Sequence, residues 1–94
     1  IPHSYELYNN YPNPFNPRTT IRYALPVTDH VTITIHDVSG RLVRTLVNAT
    51  QVAGTYATDW NGADSQGWAM SSGIYYYRIA TDHFSQTEKM LLLK

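Results

Sequence analysis

The chain has 94 residues, enough for one small domain with a thin stability margin, with seven basic and seven acidic residues and no cysteine. That charge balance excludes a phosphate-driven nucleic-acid binder, which needs a basic footprint; the missing thiols exclude disulfide scaffolds and thiolate metal sites. No run approaches the ~18 apolar residues of a spanning helix, so no transmembrane segment is expected.

Residues 1–17 read as an extended, proline-rich lead-in. Pro2, Pro12, Pro14 and Pro17 lack amide donors and push their predecessors toward extended geometry, which forbids a helix. The chain starts at Ile1 with neither initiator methionine nor signal peptide, so it reads as a piece of a longer protein, with any export signal upstream.

Residues 18–94 read as one β-sandwich. Ile21, Tyr23 and Leu25 alternate with polar or small residues, and Val31, Ile33 and Ile35 alternate with His30, Thr32, Thr34 and His36. Period-two alternation is the mark of a half-buried strand. Asp37 to Gly40 reads as a turn, Arg41 to Val47 as the next strand, and Tyr56, Thr58 and Trp60 as one face of another. A loop rich in Asn, Asp, Ser and Gly spans 61–73. Ile74 to Thr81 then puts Tyr75, Tyr77 and Ile79 on one side, and Phe84 to Leu93 forms the last strand. Six strands and a seventh near Tyr5 to Tyr8, without a helix-length amphipathic window, predict an all-β, immunoglobulin-like antiparallel sandwich; a small barrel is the alternative.

Catalysis finds no support in the residue pattern. A nucleophilic triad needs a base within hydrogen-bond reach of a nucleophile and a third group to orient it, and none of the four histidines follows such a pattern, so no catalytic residue and no cofactor is assigned. His30 and His36 share a strand face but lie roughly 20 Å apart at ~3.3 Å per residue, too far to share a metal ion. Asp59, Asn61 and Asp64 supply three hard oxygens of the type calcium prefers; the spacing is not that of an EF-hand, and local turns are the competing role. Trp68 and Tyr76 are candidate surface aromatics for a sugar, while Trp60, Tyr75 and Tyr77 are expected in the core. Asn48-Ala49-Thr50 matches a glycan acceptor pattern.

Four motifs in order carry a resemblance: Tyr11-Pro12-Asn13-Pro14-Phe15-Asn16-Pro17 before Thr19-Thr20-Ile21; Asp37-Val38-Ser39-Gly40-Arg41; Trp60-Asn61-Gly62 with Asp64 and Gly67; and Ser72-Gly73-Ile74-Tyr75-Tyr76-Tyr77-Arg78. Lys89-Met90-Leu91-Leu92-Leu93-Lys94 closes the series. The set resembles the type A C-terminal sorting domain of the type IX secretion system, which is similar to the immunoglobulin-like domain of flagellar hook-capping proteins. The resemblance covers about residues 8–94 and implies a non-catalytic module at the C-terminus of secreted enzymes and adhesins of the Bacteroidetes and relatives. Its implied partners are outer-membrane secretion proteins, a sortase-like peptidase and an upstream catalytic or adhesive domain; its implied location is the cell surface or beyond, by way of the periplasm.

On that resemblance, Lys89, Met90, Leu91, Leu92, Leu93 and Lys94 form the recognition element. Gly73 and Tyr75 maintain its presentation. Pro12, Asn13 and Pro14 make a stiff extended entry that fixes how the upstream linker leaves the sandwich, and Trp60 is a further structural motif residue. Gly73 permits a tight bend, after which Tyr75 buries its ring and bonds the backbone, as in the tyrosine corner of immunoglobulin folds. The rival expectations are a carbohydrate-binding module or a structural spacer of a secreted glycoside hydrolase or peptidase.

Overall fold

The computed structural model of the chain describes all of residues 1–94. Seven strands follow one another as β1 (Glu6–Leu7), β2 (Thr19–Leu25), β3 (Asp29–His36), β4 (Leu42–Gln51), β5 (Gly54–Trp60), β6 (Gly73–Ala80) and β7 (Ser85–Leu92). One sheet has the order β1-β2-β5 and the other β4-β3-β6-β7, with every neighbouring pair antiparallel. Two antiparallel sheets face to face, with the chain crossing between them after β2, β4 and β5, make an all-β immunoglobulin-like sandwich.

Alternation dictates which side chains fill it. Ile21, Tyr23 and Leu25 of β2, Val31, Ile33 and Ile35 of β3, and Tyr75, Tyr77 and Ile79 of β6 all point inward and are buried. β3 is central in its sheet: Ile33 lies opposite Val47 of β4 and Ile79 of β6. Each such side chain contributes about 1.5–3 kcal/mol by leaving water. Trp60, at the end of β5, closes the core beside Phe15 and Tyr75.

Two expectations shift. β4 runs to Gln51 rather than stopping at Val47. Asn48, Ala49 and Thr50 look too polar for a strand, yet they continue the ladder opposite Thr32, Val31 and His30. Register shifts between Ile33 and Thr34 and between Ile35 and His36 bend this edge pair, so Val43 is the only residue of β4 that is fully buried.

The larger shift concerns residues 1–17. In place of a simply extended lead-in, the segment bends at 12–14 and 16–17, with cis peptide bonds before Pro12, Pro14 and Pro17. Leu7, Asn10 and Phe15 are buried with the sandwich. Asn10 is held from three sides: its amide donates to the Tyr77 hydroxyl at 3.0 Å, and its side-chain nitrogen donates to Thr19 Oγ1 at 3.0 Å and to the Pro12 carbonyl at 3.2 Å. The Tyr77 hydroxyl in turn donates to the Tyr8 carbonyl at 2.8 Å. Burial of that phenol raises its pKa to about 12, so it stays a donor at any physiological pH.

Phe15 supplies a direct measure of this integration. Phe15→Ala is expected to cost about 3–5 kcal/mol of unfolding free energy, the range for a buried aromatic truncated to a methyl. Tyr11→Ala, at a residue 78% exposed, is expected to stay within about 0.5 kcal/mol. Urea titrations of both variants check this; equal midpoints would show that the segment is dispensable to the core.

Candidate recognition site

The segment Lys89 to Lys94 divides by strand geometry. Met90 and Leu92 turn inward and are buried, whereas Lys89 and Lys94 are exposed, Leu91 is half-buried and Leu93 is 48% exposed. Two of the six expected recognition residues are therefore core, and Lys89, Leu91, Leu93 and Lys94 are the side chains that present a surface.

β7 is an edge strand, and the proline-rich segment covers its end. Phe15 forms a parallel bridge with Leu92: the Phe15 amide donates to the Leu91 carbonyl at 3.0 Å, and the Leu93 amide donates to the Phe15 carbonyl at 2.9 Å. The Leu91 amide donates to Asn13 Oδ1 at 3.0 Å. Beyond it, the Lys94 amide donates to Ser72 Oγ at 2.9 Å. Asn13, Ile74, Lys89, Met90 and Leu91 line an open groove of about 230 Å³ beside this junction. The structure thus brings together three stretches far apart in sequence: Pro12–Pro14, Ser72–Ile74 and Lys89–Lys94.

The supporting residues form a chain of contacts behind that surface. The Tyr75 hydroxyl donates to the carbonyl of Ser71, four residues upstream, at 2.7 Å, and its buried ring meets Trp60 edge-on with centroids 5.4 Å apart. Gly73 makes this return possible through its backbone, at φ +152°, with nothing near the position a Cβ would take. Trp60 tilts against Phe15 at 5.7 Å and donates from Nε1 to the Ala63 carbonyl at 2.8 Å. Gly62 is more constrained: φ is +78°, and an added Cβ would sit 3.0 Å from the Pro17 carbonyl oxygen.

The calcium candidates do not converge. Asp59 accepts from Thr20 Oγ1 across the sheet at 2.7 Å. Asn61 Oδ1 accepts from Arg44 Nη1 and from the Ala63 amide, both at 3.1 Å, and a guanidinium there opposes a cation. Asp64 Oδ1 accepts from the amides of Gln66 and Trp68 at 3.0 and 2.9 Å, while the Gly67 amide donates to its carbonyl. The same arrangement occurs at Asp37, whose Oδ1 accepts from the Ser39 and Arg41 amides while the Gly40 amide donates to its carbonyl. Both Asp-x-x-Gly segments are therefore side-chain-capped turns.

His30 and His36 contact Asn48 Oδ1 at 2.8 Å and Thr34 Oγ1 at 2.9 Å respectively, on the outer face of the sheet. Trp68 is 71% exposed at the Asp64 turn. Tyr76 lies on the outer face of β6, where it is half-buried.

One polar cluster carries no sequence signal. Asp29 is buried and accepts from the Tyr5 hydroxyl at 2.6 Å, the His30 amide at 2.8 Å, His83 Nδ1 at 3.1 Å and the Asp82 amide at 3.3 Å. Tyr5 also stacks on Phe84 with centroids 5.2 Å apart. The Tyr5 hydrogen bond first, then those from His83 and Asp82, hold the carboxyl well below the usual carboxylate range against the opposing effect of burial. The partners lie 24 and 54 residues away, and no motif links them.

The family model described as the FlgD Ig-like domain matches residues 17–83. Among solved structures, dimeric latent PorU from Porphyromonas gingivalis is similar at 20% identity with a TM-score of 0.75, over 93% of this chain and 9% of that one. PorZ of the same organism, described as an essential bacterial surface component of the type-IX secretion system, is similar at 24% identity and a TM-score of 0.66, over 94% and 11%. FlgD from P. aeruginosa gives 24% and 0.62, over 81% and 64%. This chain thus spans about a tenth of the PorU and PorZ chains, and the likeness is one of fold. No curated protein sequence matches it.

Two expectations follow from the geometry. A carboxyl whose folded pKa lies below its unfolded value, ~3.9, stabilises the native state above that value, and the contribution fades as pH falls through the folded one. Wild-type urea midpoints should therefore drop below about pH 4, and Asp29→Asn should be less stable at neutral pH with a shallower acid dependence. Tyr75→Phe should cost about 1 kcal/mol by leaving the Ser71 carbonyl without its donor, with the ring packing intact by near-ultraviolet circular dichroism.

Proposed function

The chain belongs to the FlgD Ig-like domain family, and from that premise we propose that it is a non-catalytic secretion and sorting module that directs a larger secreted protein through the outer membrane to the cell surface. The observation that carries this reading is the junction at the end of β7. There the Leu91 amide is held by Asn13 and the Leu93 amide by Phe15. Lys89, Leu93 and Lys94 are left outward on a strand end whose amides at Leu91, Leu93 and Lys94 are bonded to Asn13, Phe15 and Ser72. An exposed pair of cations framing an apolar side chain, fixed in position, suits recognition by a protein partner, because rigid presentation lowers the entropy lost on binding.

In this reading the partners are outer-membrane secretion proteins and a sortase-like peptidase, and an upstream catalytic or adhesive domain is the cargo. The resemblance of the ordered motifs to type A sorting domains supports it, as does the likeness in fold to PorZ, a surface component of the type-IX system. In this reading the work is done by recognition, and His30, His36 and His83 serve local contacts to Asn48, Thr34 and Asp29.

A second reading, a carbohydrate-binding module, rests on Trp68 exposed at the Asp64 turn. Pull-down on insoluble polysaccharides with wild type and Trp68→Ala separates it: retention lost in the variant supports sugar binding, and no retention on any polymer removes it.

The sorting reading is tested by placing residues 1–94 behind a periplasm-targeted reporter in a host with the type IX apparatus. Lys89→Ala with Lys94→Ala should reduce reporter at the surface and accumulate it in the periplasm, while the melting temperature stays near wild type, since surface charge changes cost within about 0.5 kcal/mol. Undiminished surface exposure of the double variant would sink the reading.

A further inference from the structure

We propose that the outward edge of β7 between Ser85 and Lys89 accepts one added strand from a partner protein, and that the partner's segment is acidic. The inference stands on the edge itself, whatever cargo or route the module serves.

Hydrogen-bond direction identifies the open stretch. The amide and carbonyl of Leu91 both point away from β6, to Asn13 and Phe15. Alternate residues of an antiparallel strand turn their main-chain groups to the same side, so Thr87 and Lys89 also direct an amide and a carbonyl outward. Neither residue's outward groups meet a partner within the chain. Addition of a strand to such an edge is a recurrent mode of recognition, in which main-chain bonds give affinity and side chains give selectivity. The Asn13–Phe15 segment occupies the positions from Leu91 onward, so an incoming strand has a built-in stop.

The remaining edges are less suited. β4 carries two register shifts, which twist an edge away from pairing, and its Val43 carbonyl already accepts from the Ser65 amide. β1 is two residues long. β5 carries Asp59 and no cation.

Charge selects the partner. Lys89 lies opposite Tyr76, and Arg78 lies opposite Thr87, on the outer face of β6 and β7; both cations are exposed. The ion pairs of the chain are Arg41–Asp37 and His83–Asp29, so Arg78 and Lys89 face solvent without a counterion. His36 lies opposite Tyr76 on the other side. Arg78 and His36 line a groove of about 300 Å³ with Tyr76, Val38 and Thr87; its one carboxylate, Asp37, is engaged by Ser39 and Arg41. Glu88 alternates to the inner side, where Gln86 Nε2 donates to it at 3.3 Å. A glutamate on the outer face of an added strand would sit beside Lys89, whereas a lysine there would be repelled.

The test is a nuclear magnetic resonance titration of ¹⁵N-labelled residues 1–94 with two blocked hexapeptides, one alternating glutamate and threonine and one alternating lysine and threonine. The glutamate peptide should shift the Thr87 and Lys89 amides saturably and slow their hydrogen exchange, with the Leu91 amide little changed. Lys89→Glu, checked for an unaltered core by its Trp60 indole and Ile33 signals, should weaken that binding by about fivefold and favour the lysine peptide. Equal binding of both peptides, shifts confined to β4 or β5, or no saturable shift at millimolar peptide would overturn the proposal. Protection of Thr87 and Lys89 that rises with protein concentration in the absence of peptide would assign the edge to a second copy and overturn the acidic partner.

Discussion

The seating of Phe15 is the contact on which the rest of the sandwich depends. Its ring packs against Trp60 within the core, and its main chain pairs with Leu91 and Leu93 at the edge of the four-stranded sheet. One residue thereby joins the hydrophobic interior to the end of a strand edge and closes that edge from Leu91 onward. An open edge is a template for unwanted pairing, and in a chain this short every buried aromatic is a large share of the total stability. Trp60 and Tyr75 take their places around Phe15. Through them the tight return at Gly73, the bond to Ser71 and the end of β7 become one mechanical unit.

Much of this was legible in the residues before any coordinates. Ile33, Ile35, Tyr75, Tyr77 and Ile79 announce their burial by alternation, because one face of each strand must meet the other sheet and the other face must meet water. The tyrosine corner was readable through the resemblance, which implies that Tyr75 after Gly73 buries its ring and bonds the backbone. Asn48, Ala49 and Thr50 have little to bury, so the residue pattern alone ends β4 at Val47. Its ladder with β3 persists because the backbone pairs whether or not its side chains are apolar. The prolines before Thr19 signalled the absence of a helix correctly, but nothing in their spacing tells how the chain bends around them. Phe15 as a core residue follows from those bends.

The candidate site was half legible. The Lys89 to Lys94 block stands out in the sequence, and alternation alone would separate Met90 and Leu92 from their neighbours. Its pairing with Asn13 was not readable, because that contact spans 78 residues and a single sequence carries no record of distant pairing. Asp29 was missed for the same reason. It stands between Thr28 and His30 without any motif, and only the folded chain brings Tyr5 and His83 to it. The oxygen-rich stretch from Asp59 to Asp64 allowed two readings, a calcium site and local turns. Residue types that suit a cation are the ones that close turns, and here the neighbouring amides, Thr20 and Arg44 claim those oxygens.

The bond between Asn13 and the Leu91 amide also bears on when the domain can fold, as distinct from how firmly. A chain that emerges from its N-terminal side exposes Asn13 and Phe15 long before Leu91 exists to receive them. Closing a loop of that span carries an entropic cost that no earlier contact at this junction can offset. Asn13 and Phe15 therefore gain their main-chain partners only once β7 is present. The order of the residues along the chain thus fixes which contact of the sandwich closes last.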